Sequence, residues 1–404
     1  MSQPIVLIGF AEALAAPEVA WNLVDRGYRV VAFGRRGRTS ALRYSCQVEY
    51  REICGPDSNL ETSVTELNAL MGSLGGSGVT SKTLFPLDDS SVLLCSLAAP
   101  RSPGWNLAGP QGELAELALN KQRQTDLARE SGFHVPTTWL VRTPEEALRI
   151  GREQAFPLIL RPIECVPIAD GRVQKGRNWI CANLGELEIA AKSWGGRVPL
   201  MVQPFIAGTG EGVFGLATEQ GVQGWSAHRR LRMMNPHGSG SSACISQVVD
   251  PETQRSAETL MAKSGWRGLF MIELLRDDAG KVWFVELNGR PWGSLALSRC
   301  QGFEYPVWQV RMACGEKPVV DSLPAAVPGV VCRNVGREVM HLLFVLRGPK
   351  STALVRWPSV TKTLRELLRI RTGDGIYNWR LQDPKVFLAD CYNTVHDNVF
   401  KDRH

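Results

Sequence analysis

Pattern along the chain sorts it into short buried strands and amphipathic helices. Ile5-Val6-Leu7-Ile8 is an unbroken apolar run, as in a parallel strand covered on both faces. Pro17 to Asp25 follows helical spacing, with Pro near its start and Gly27 past its end, and Tyr28 to Phe33 is the next strand. This predicts a βαβ opening. Gly9 precedes Phe10-Ala11-Glu12-Ala13 rather than two further glycines, so a dinucleotide site is not expected. Thr83 to Asp89 predicts a strand end and a helix start, with Asp88 or Asp89 as cap or as ligand contact at the sheet edge. Glu113 to Glu130 predicts one helix, stopped by Gly132. Strands follow at Val135–Trp139, Phe156–Pro162 and Pro199–Gly208, and a helix at 251–265. The turn Asp277-Asp278-Ala279-Gly280 joins two further strands as a hairpin. In the last part, Glu338–Leu346 and Val360–Arg371 have helical spacing. Leu364, Leu367 and Leu368 are expected to pack on the protein's own core, with association at an anionic membrane surface as the alternative.

Composition is that of a globular protein of two or three domains, with 404 residues, 44% hydrophobic and 21% charged. No apolar run is long enough to span a bilayer. The first residues lack a basic segment and carry Glu12, so they predict a buried strand and not a signal peptide. Ten cysteines without C-x-x-C spacing fit a reducing cytoplasm. The net charge of +6 lies in residues 331–404, which hold 13 Lys/Arg against 7 Asp/Glu. A neutral body with a basic tail argues against a nucleic-acid binder.

The chemistry concentrates in Val282 to Ser294. On a strand, Glu286, Asn288 and Arg290 repeat every second residue and share a face. A carboxylate, an amide oxygen and a guanidinium suit Mg²⁺ carrying phosphates. Glu273, on the other arm of the hairpin, can lie beside Glu286. A chance alternation on an exposed strand is the competing reading.

This stretch resembles the metal-binding end of the ATP-grasp superfamily, whose members finish their catalytic sheet on Glu-x-Asn-x-Arg. The likeness runs in order over roughly residues 1–325. It implies an α/β (α+β ATP-grasp) chain: a Rossmann-like domain at 1–112, a lid with its entry helix at 113–205, a catalytic and metal subdomain at 206–325, and a basic helical extension at 326–404. It also implies ATP and Mg²⁺ (or Mn²⁺), the metal on Glu273, Glu286 and Asn288. Lys121 and Arg161, the latter where relatives carry Lys, would reach phosphates, as would Lys175 in a loop over them. Gln203, Pro204, Phe205 and Ile206 resemble the adenine linker, where the Pro204 carbonyl and the Ile206 N–H make the right pair. Glu211 stands for the ribose hydroxyls, or is an exposed turn charge. Arg290, Arg230 and His228 would serve the edge where the acyl phosphate forms. There the Gly/Ser loop Asn235–Ser242 can cradle an oxyanion or a substrate carboxylate.

The activity implied is ATP-dependent carboxylate–amine ligation through an acyl phosphate, on a small amino-acid-like or peptide metabolite, with release of ADP and phosphate. One alternative uses bicarbonate, as carboxylases and carbamoyl-phosphate synthetases do. The chain lacks their biotin-carrier motif, amidotransferase domain and internal repeat. Another is an ATP-binding module with impaired catalysis, for which Arg161 is the one supporting feature. Expected partners are small carboxylates and amines and a second copy of the chain in a homodimer, with no nucleic acid and no transmembrane segment.

Overall fold

The computed structural model describes residues 3–74, 80–174, 176–238, 240–318, 323–349, 357–369 and 371–400. The fold is mixed α/β, with a five-stranded parallel sheet, a four-stranded antiparallel sheet, and a seven-stranded sheet that is antiparallel except for its last pair. The apolar runs at the start form a parallel sheet in the order β3-β2-β1-β4-β5, from β1 (Ile5–Gly9), β2 (Arg29–Arg35), β3 (Glu49–Ile53), β4 (Lys82–Pro86) and β5 (Asn106–Leu107). It is covered by α1 (Ala16–Asp25), α2 (Leu60–Ser73) and α3 (Asp89–Ala98). Asp88 caps α3 through a capping box with Ser91.

The continuous helix expected from Glu113 breaks at Asn120 into α4 (Glu113–Leu119) and α5 (Lys121–Glu130). Asn120 has extended backbone, and its side chain accepts from the Arg123 N–H at 2.9 Å. A cap residue inside an apolar-periodic run ended one helix and began the next.

Residues 139–204 carry a four-stranded antiparallel sheet, β10-β7-β11-β6. Its elements are β6 (Trp139–Val141), α6 (Pro144–Glu153), β7 (Leu158–Pro162), β8 (Ile168–Ala169), β9 (Arg172–Val173), β10 (Trp179–Cys181), α7 (Leu184–Trp194) and β11 (Leu200–Pro204). β8 and β9 form a separate tight hairpin about Asp170 and Gly171, both at positive φ. This hairpin leans on the first domain, where Leu60 N donates to Gly171 O at 2.9 Å and Val173 N to Pro56 O at 2.8 Å.

A seven-stranded sheet, β16-β15-β12-β13-β14-β17-β18, carries the rest. It comprises β12 (Thr209–Thr218), β13 (Gly221–Met233), β14 (Ser241–Gln247), α8 (Pro251–Ser264), β15 (Gly268–Arg276), β16 (Val282–Asn288), α9 (Leu295–Cys300), α10 (Tyr305–Ala313) and β17 (Val331–Arg333). α11 (Val335–Arg347), α12 (Val360–Leu367), β18 (Gly375–Ile376) and α13 (Pro384–Phe400) follow. One core face joins it to the first domain through Val6, Ile8, Trp21, Phe214, Trp292 and Tyr305, with Phe214 stacked on Trp292 at 4.3 Å. The other face packs Val213, Ile272 and Leu287 against α8 and α5.

The tail straps the large sheet to the first domain. β17 extends the large sheet beside β14, and the loop before α13 reaches the first domain. There Asp383 accepts from Trp21 Nε1 at 3.2 Å, and Asn378 N donates to Glu18 Oε1 at 2.7 Å. The expected helix to Arg371 ends at Leu367, and its leucine stripe is not buried. Leu364 and Leu368 are 42% and 80% exposed, while Thr363 faces inward. The leucines were expected inside because spacing reports a face, not what covers it. No helix among the described residues is long and apolar enough to cross a membrane.

Candidate active site

The alternation in Val282–Asn288 pairs with Gly268–Arg276, and the register sets Glu273 opposite Glu286 and Met271 opposite Asn288. An irregularity beyond Glu273 skips Val285, a bulge of the kind that re-aims side chains beside functional sites. Across the sheet, Ser246, His228, Gly212, Glu273 and Glu286 follow one another in register on successive strands, so they share a face. Gly210 and Gly212 leave room for β13 side chains to lean over β12. A Cβ at Gly210 would lie 2.7 Å from Arg230 Cδ, and one at Gly212 would lie 2.9 Å from His228 Nε2. Through this gap Arg230 Nη2 reaches Glu273 Oε1 at 2.7 Å.

Glu286 gathers charge from three directions. Arg161 of β7 lies 3.3 Å from Oε2, and Lys121 at the start of α5 lies 4.0 Å from the same atom. Asn288 Nδ2 donates to Oε1 at 3.3 Å. Burial pushes the Glu286 carboxyl up, but Lys121, Arg161 and Arg290 outweigh it, and the group stays below the usual carboxylate range. It is therefore ionised at neutral pH. The break at Asn120 is what places Lys121 here, with its own N–H on Ile163 O at 2.8 Å. Arg290 is held by Asp89 through Nε at 2.9 Å and Nη2 at 3.3 Å, which ties the segment after β16 to the first turn of α3.

Other expected residues fall elsewhere. Gln203 is buried and donates to Thr138 Oγ1 at 2.9 Å, so its amide has a structural partner. Phe205 N donates to Pro157 O at 2.9 Å. Pro204 and Ile206 are half-buried, and the Ile206 N–H has no protein acceptor among the described residues. Lys175 lies outside the described residues.

Glu211 is corrected on both counts. It is a buried residue of β12 and not a turn charge, and both its oxygens are taken by Arg276, at 2.9 and 3.0 Å. It alternates with Gly210 and Gly212, so it lies on the α8 side of the sheet, away from Glu273. His228 is also corrected as a basic group. Burial, aided by the neighbouring Arg230 charge, lowers its pKa to about 3, so it is neutral at working pH. Its Nδ1 shares a 2.6 Å hydrogen bond with Ser294 Oγ. Arg232 does not line up with His228 and Arg230, because the β13–β14 register shifts between Arg230 and Arg232. Arg232 instead pairs with Glu338 of the tail at 2.6 Å.

Gln124 was not legible as a site residue. Its amide donates to Ala118 O at 2.8 Å and Leu287 O at 3.0 Å and accepts from Leu287 N at 3.0 Å, which locks α5 to β16. A lone Gln inside a helix carries no sequence signal for that role.

Among the described residues no group of three or more His, Cys, Asp or Glu could hold a metal by itself. Two carboxylates and an amide suit a hard cation that completes its shell with phosphate oxygens and water. Among the described residues, Arg161 Nε, Arg230 Nε and His228 Nε2 are buried without hydrogen-bond partners, three orphaned polar atoms in one cluster. Two surface concavities lie elsewhere, one along Leu114, Leu127 and Lys263, the other along His134, Asp250 and Arg276. Neither includes a group of this cluster, so convergent charge identifies the site better than depth does.

The likeness to solved structures shows the ATP-grasp fold. No family model matches the chain. Among solved structures, it is similar to an ADP complex of purK, N5-carboxyaminoimidazole ribonucleotide synthetase (TM-score 0.62, 12% identity, covering 91% of this chain and 95% of that one). It is also similar to the L-amino acid ligase from Bacillus licheniformis (TM-score 0.60, 14% identity, covering 82% and 78%). A third is the biotin carboxylase domain dimer of Hydrogenobacter thermophilus 2-oxoglutarate carboxylase with MgADP, ADP and bicarbonate (TM-score 0.59, 19% identity, covering 82% and 74%). A curated relative, the carbamoyl phosphate synthase large chain of Pasteurella multocida (strain Pm70), is 24% identical over 224 residues, 53% of this chain. The match spans only 20% of that synthase chain.

Proposed function

We propose that the chain is an ATP-dependent, ADP-forming ligase that joins a small carboxylate to an amine. The observation that carries this is Glu286, an ionised carboxylate opposite Glu273 that the lid's Arg161 and the α5 Lys121 approach from the other side. A triphosphate between lid and sheet would take over these cations. Mg²⁺, held by Glu273, Glu286 and Asn288, would supply neutralisation of charge on the β- and γ-phosphates. Arg161 and Lys121 position phosphate oxygens, and the Pro204 carbonyl and Ile206 N–H receive adenine. The substrate carboxylate oxygen attacks the γ-phosphorus and ADP leaves. The amine then attacks the acyl carbon, loses a proton, and expels phosphate. Arg230 and Arg290 stabilise the developing negative charge, while neutral His228 orients through hydrogen bonds. No nucleophile from the protein is needed. The units 1–112, 113–205, 206–325 and 326–404 serve as support, lid, catalytic sheet and strap in this reading, in the cytoplasm.

Bicarbonate as the activated carboxylate is the second reading, supported by the likeness to the biotin carboxylase domain dimer solved with MgADP, ADP and bicarbonate. ADP release by the full-length protein with Mg²⁺ and ATP, across a panel of amino acids, small carboxylates and bicarbonate, separates the two. Release that needs a carboxylate and an amine together is the expected result. Release that needs bicarbonate transfers the proposal to the second reading, and no stimulated release by any member contradicts both.

A further inference from the structure

Arg337, on the first turn of α11, is placed unlike every comparable arginine in the molecule. Among the described residues, each other buried or half-buried arginine has a carboxylate within salt-bridge distance, from Arg35 with Glu12 and Asp88 to Arg380 with Asp25. Arg337 has none. Among the described residues its guanidinium makes one hydrogen bond, to the Ser241 carbonyl at 3.2 Å. The carboxylate whose charge it feels most, Asp390, accepts from Asn334 Nδ2 at 2.9 Å and forms no ion pair with it.

The surroundings explain why so costly a cation is retained. Gly240, at the end of the Gly/Ser loop, faces it so closely that a Cβ would lie 2.5 Å from Nη1. β14 carries Ser241 from that loop, and Cys244 on the same strand pairs with Arg230, whose Nη2 holds Glu273. Burial lowers the Arg337 pKa, and Arg230, a second cation near enough to add to the effect, lowers it further. Two guanidiniums in one low-dielectric region repel, and an anion between or beside them relieves both.

We propose that Arg337 and the Ser241 end of the Gly/Ser loop form a subsite for an anionic group, a carboxylate or a phosphate, on the substrate that enters beside the metal cluster. The inference rests on the ligase reading above and deepens it, because the tail then supplies a specificity residue and is not only a strap. It defines the substrate class as one bearing an anionic group in addition to the reacting carboxylate.

The test is thermal unfolding of the full-length, nucleotide-free protein in malonate, succinate or inorganic phosphate against chloride at matched ionic strength. At about ten times its dissociation constant, a bound probe raises Tm by roughly 1.5–2 °C. The wild type should show this rise with at least one probe, and Arg337→Gln should lose it. Arg337→Lys, which keeps the charge, should retain part. Should Arg337→Gln fail to fold, Gly240→Ala, which sets a methyl against the guanidinium, must weaken the rise instead. An undiminished rise in Arg337→Gln, or no rise in the wild type, overturns the proposal. Affinity for a non-hydrolysable ATP analogue is measured in parallel. Its absence in the wild type defeats the nucleotide reading, whatever the anion does.

Discussion

Glu286→Ala should reduce Mg²⁺-dependent ADP release by on the order of 10³-fold, beyond the loss from any single neighbouring cation. The carboxylate has two tasks. It supplies a metal oxygen, and it holds Arg161 and Lys121 at 3.3 and 4.0 Å until phosphate replaces it. Without it, those cations and Arg290 face one another across a buried space. The variant should therefore also melt at lower temperature, while unfolding as one cooperative unit. Glu286→Gln keeps the volume and loses the charge, so it tests whether charge alone carries both tasks. Measured as ADP release against Mg²⁺ concentration, both variants should lose the metal-dependent rise. A variant with ordinary rate and metal dependence would contradict the site.

Arg290→Ala should cost about 2–3 kcal/mol of stability and on the order of 10²-fold in kcat/KM. The stability figure is below that of a fully buried pair because the side chain of Asp89 is 32% exposed. The two losses have different origins. The fork on Asp89 ties α3 to the segment after β16, whereas the charge acts on substrate. Asp89→Asn should thus reproduce part of the stability loss and little of the kinetic one. Arg290→Lys keeps the charge without the planar fork and should raise the KM for the carboxylate substrate. Urea unfolding and steady-state kinetics on the three variants decide this. An unchanged carboxylate KM in Arg290→Lys rejects carboxylate binding by Arg290.

What was legible in the chain was what local periodicity controls. The hairpin of Glu273 and Glu286 followed from period-two alternation on either side of an Asp-Asp-Ala-Gly turn, and the parallel sheet from unbroken apolar runs. Three errors share one cause, the absence of three-dimensional partners from the sequence. Glu211 was expected at the nucleotide, yet alternation with Gly210 and Gly212 puts it on the other face, where Arg276 waits. His228 stands among cations in Ala227-His228-Arg229-Arg230-Leu231-Arg232, but desolvation leaves it neutral. Leu364 and Leu368 had helical spacing without a surface to meet. The break at Asn120 was written in a cap residue and was masked by the strong helical pattern around it. Gln124 and Arg337 could not be found at all, because their roles come from contacts with strands far away in the chain.

The central claim is that a metal-bound nucleotide lies between the lid and the sheet at the Glu273–Glu286 pair. A crystal of the full-length protein grown with a non-hydrolysable ATP analogue and Mn²⁺ tests it most directly, through the anomalous signal of the metal. The account predicts a peak about 2.1 Å from oxygens of Glu286 and Glu273, with adenine against Pro204 and Ile206. An ordered nucleotide whose metal sits elsewhere, such as at the carboxyl edge of the parallel sheet beside Asp88 and Arg35, would contradict it.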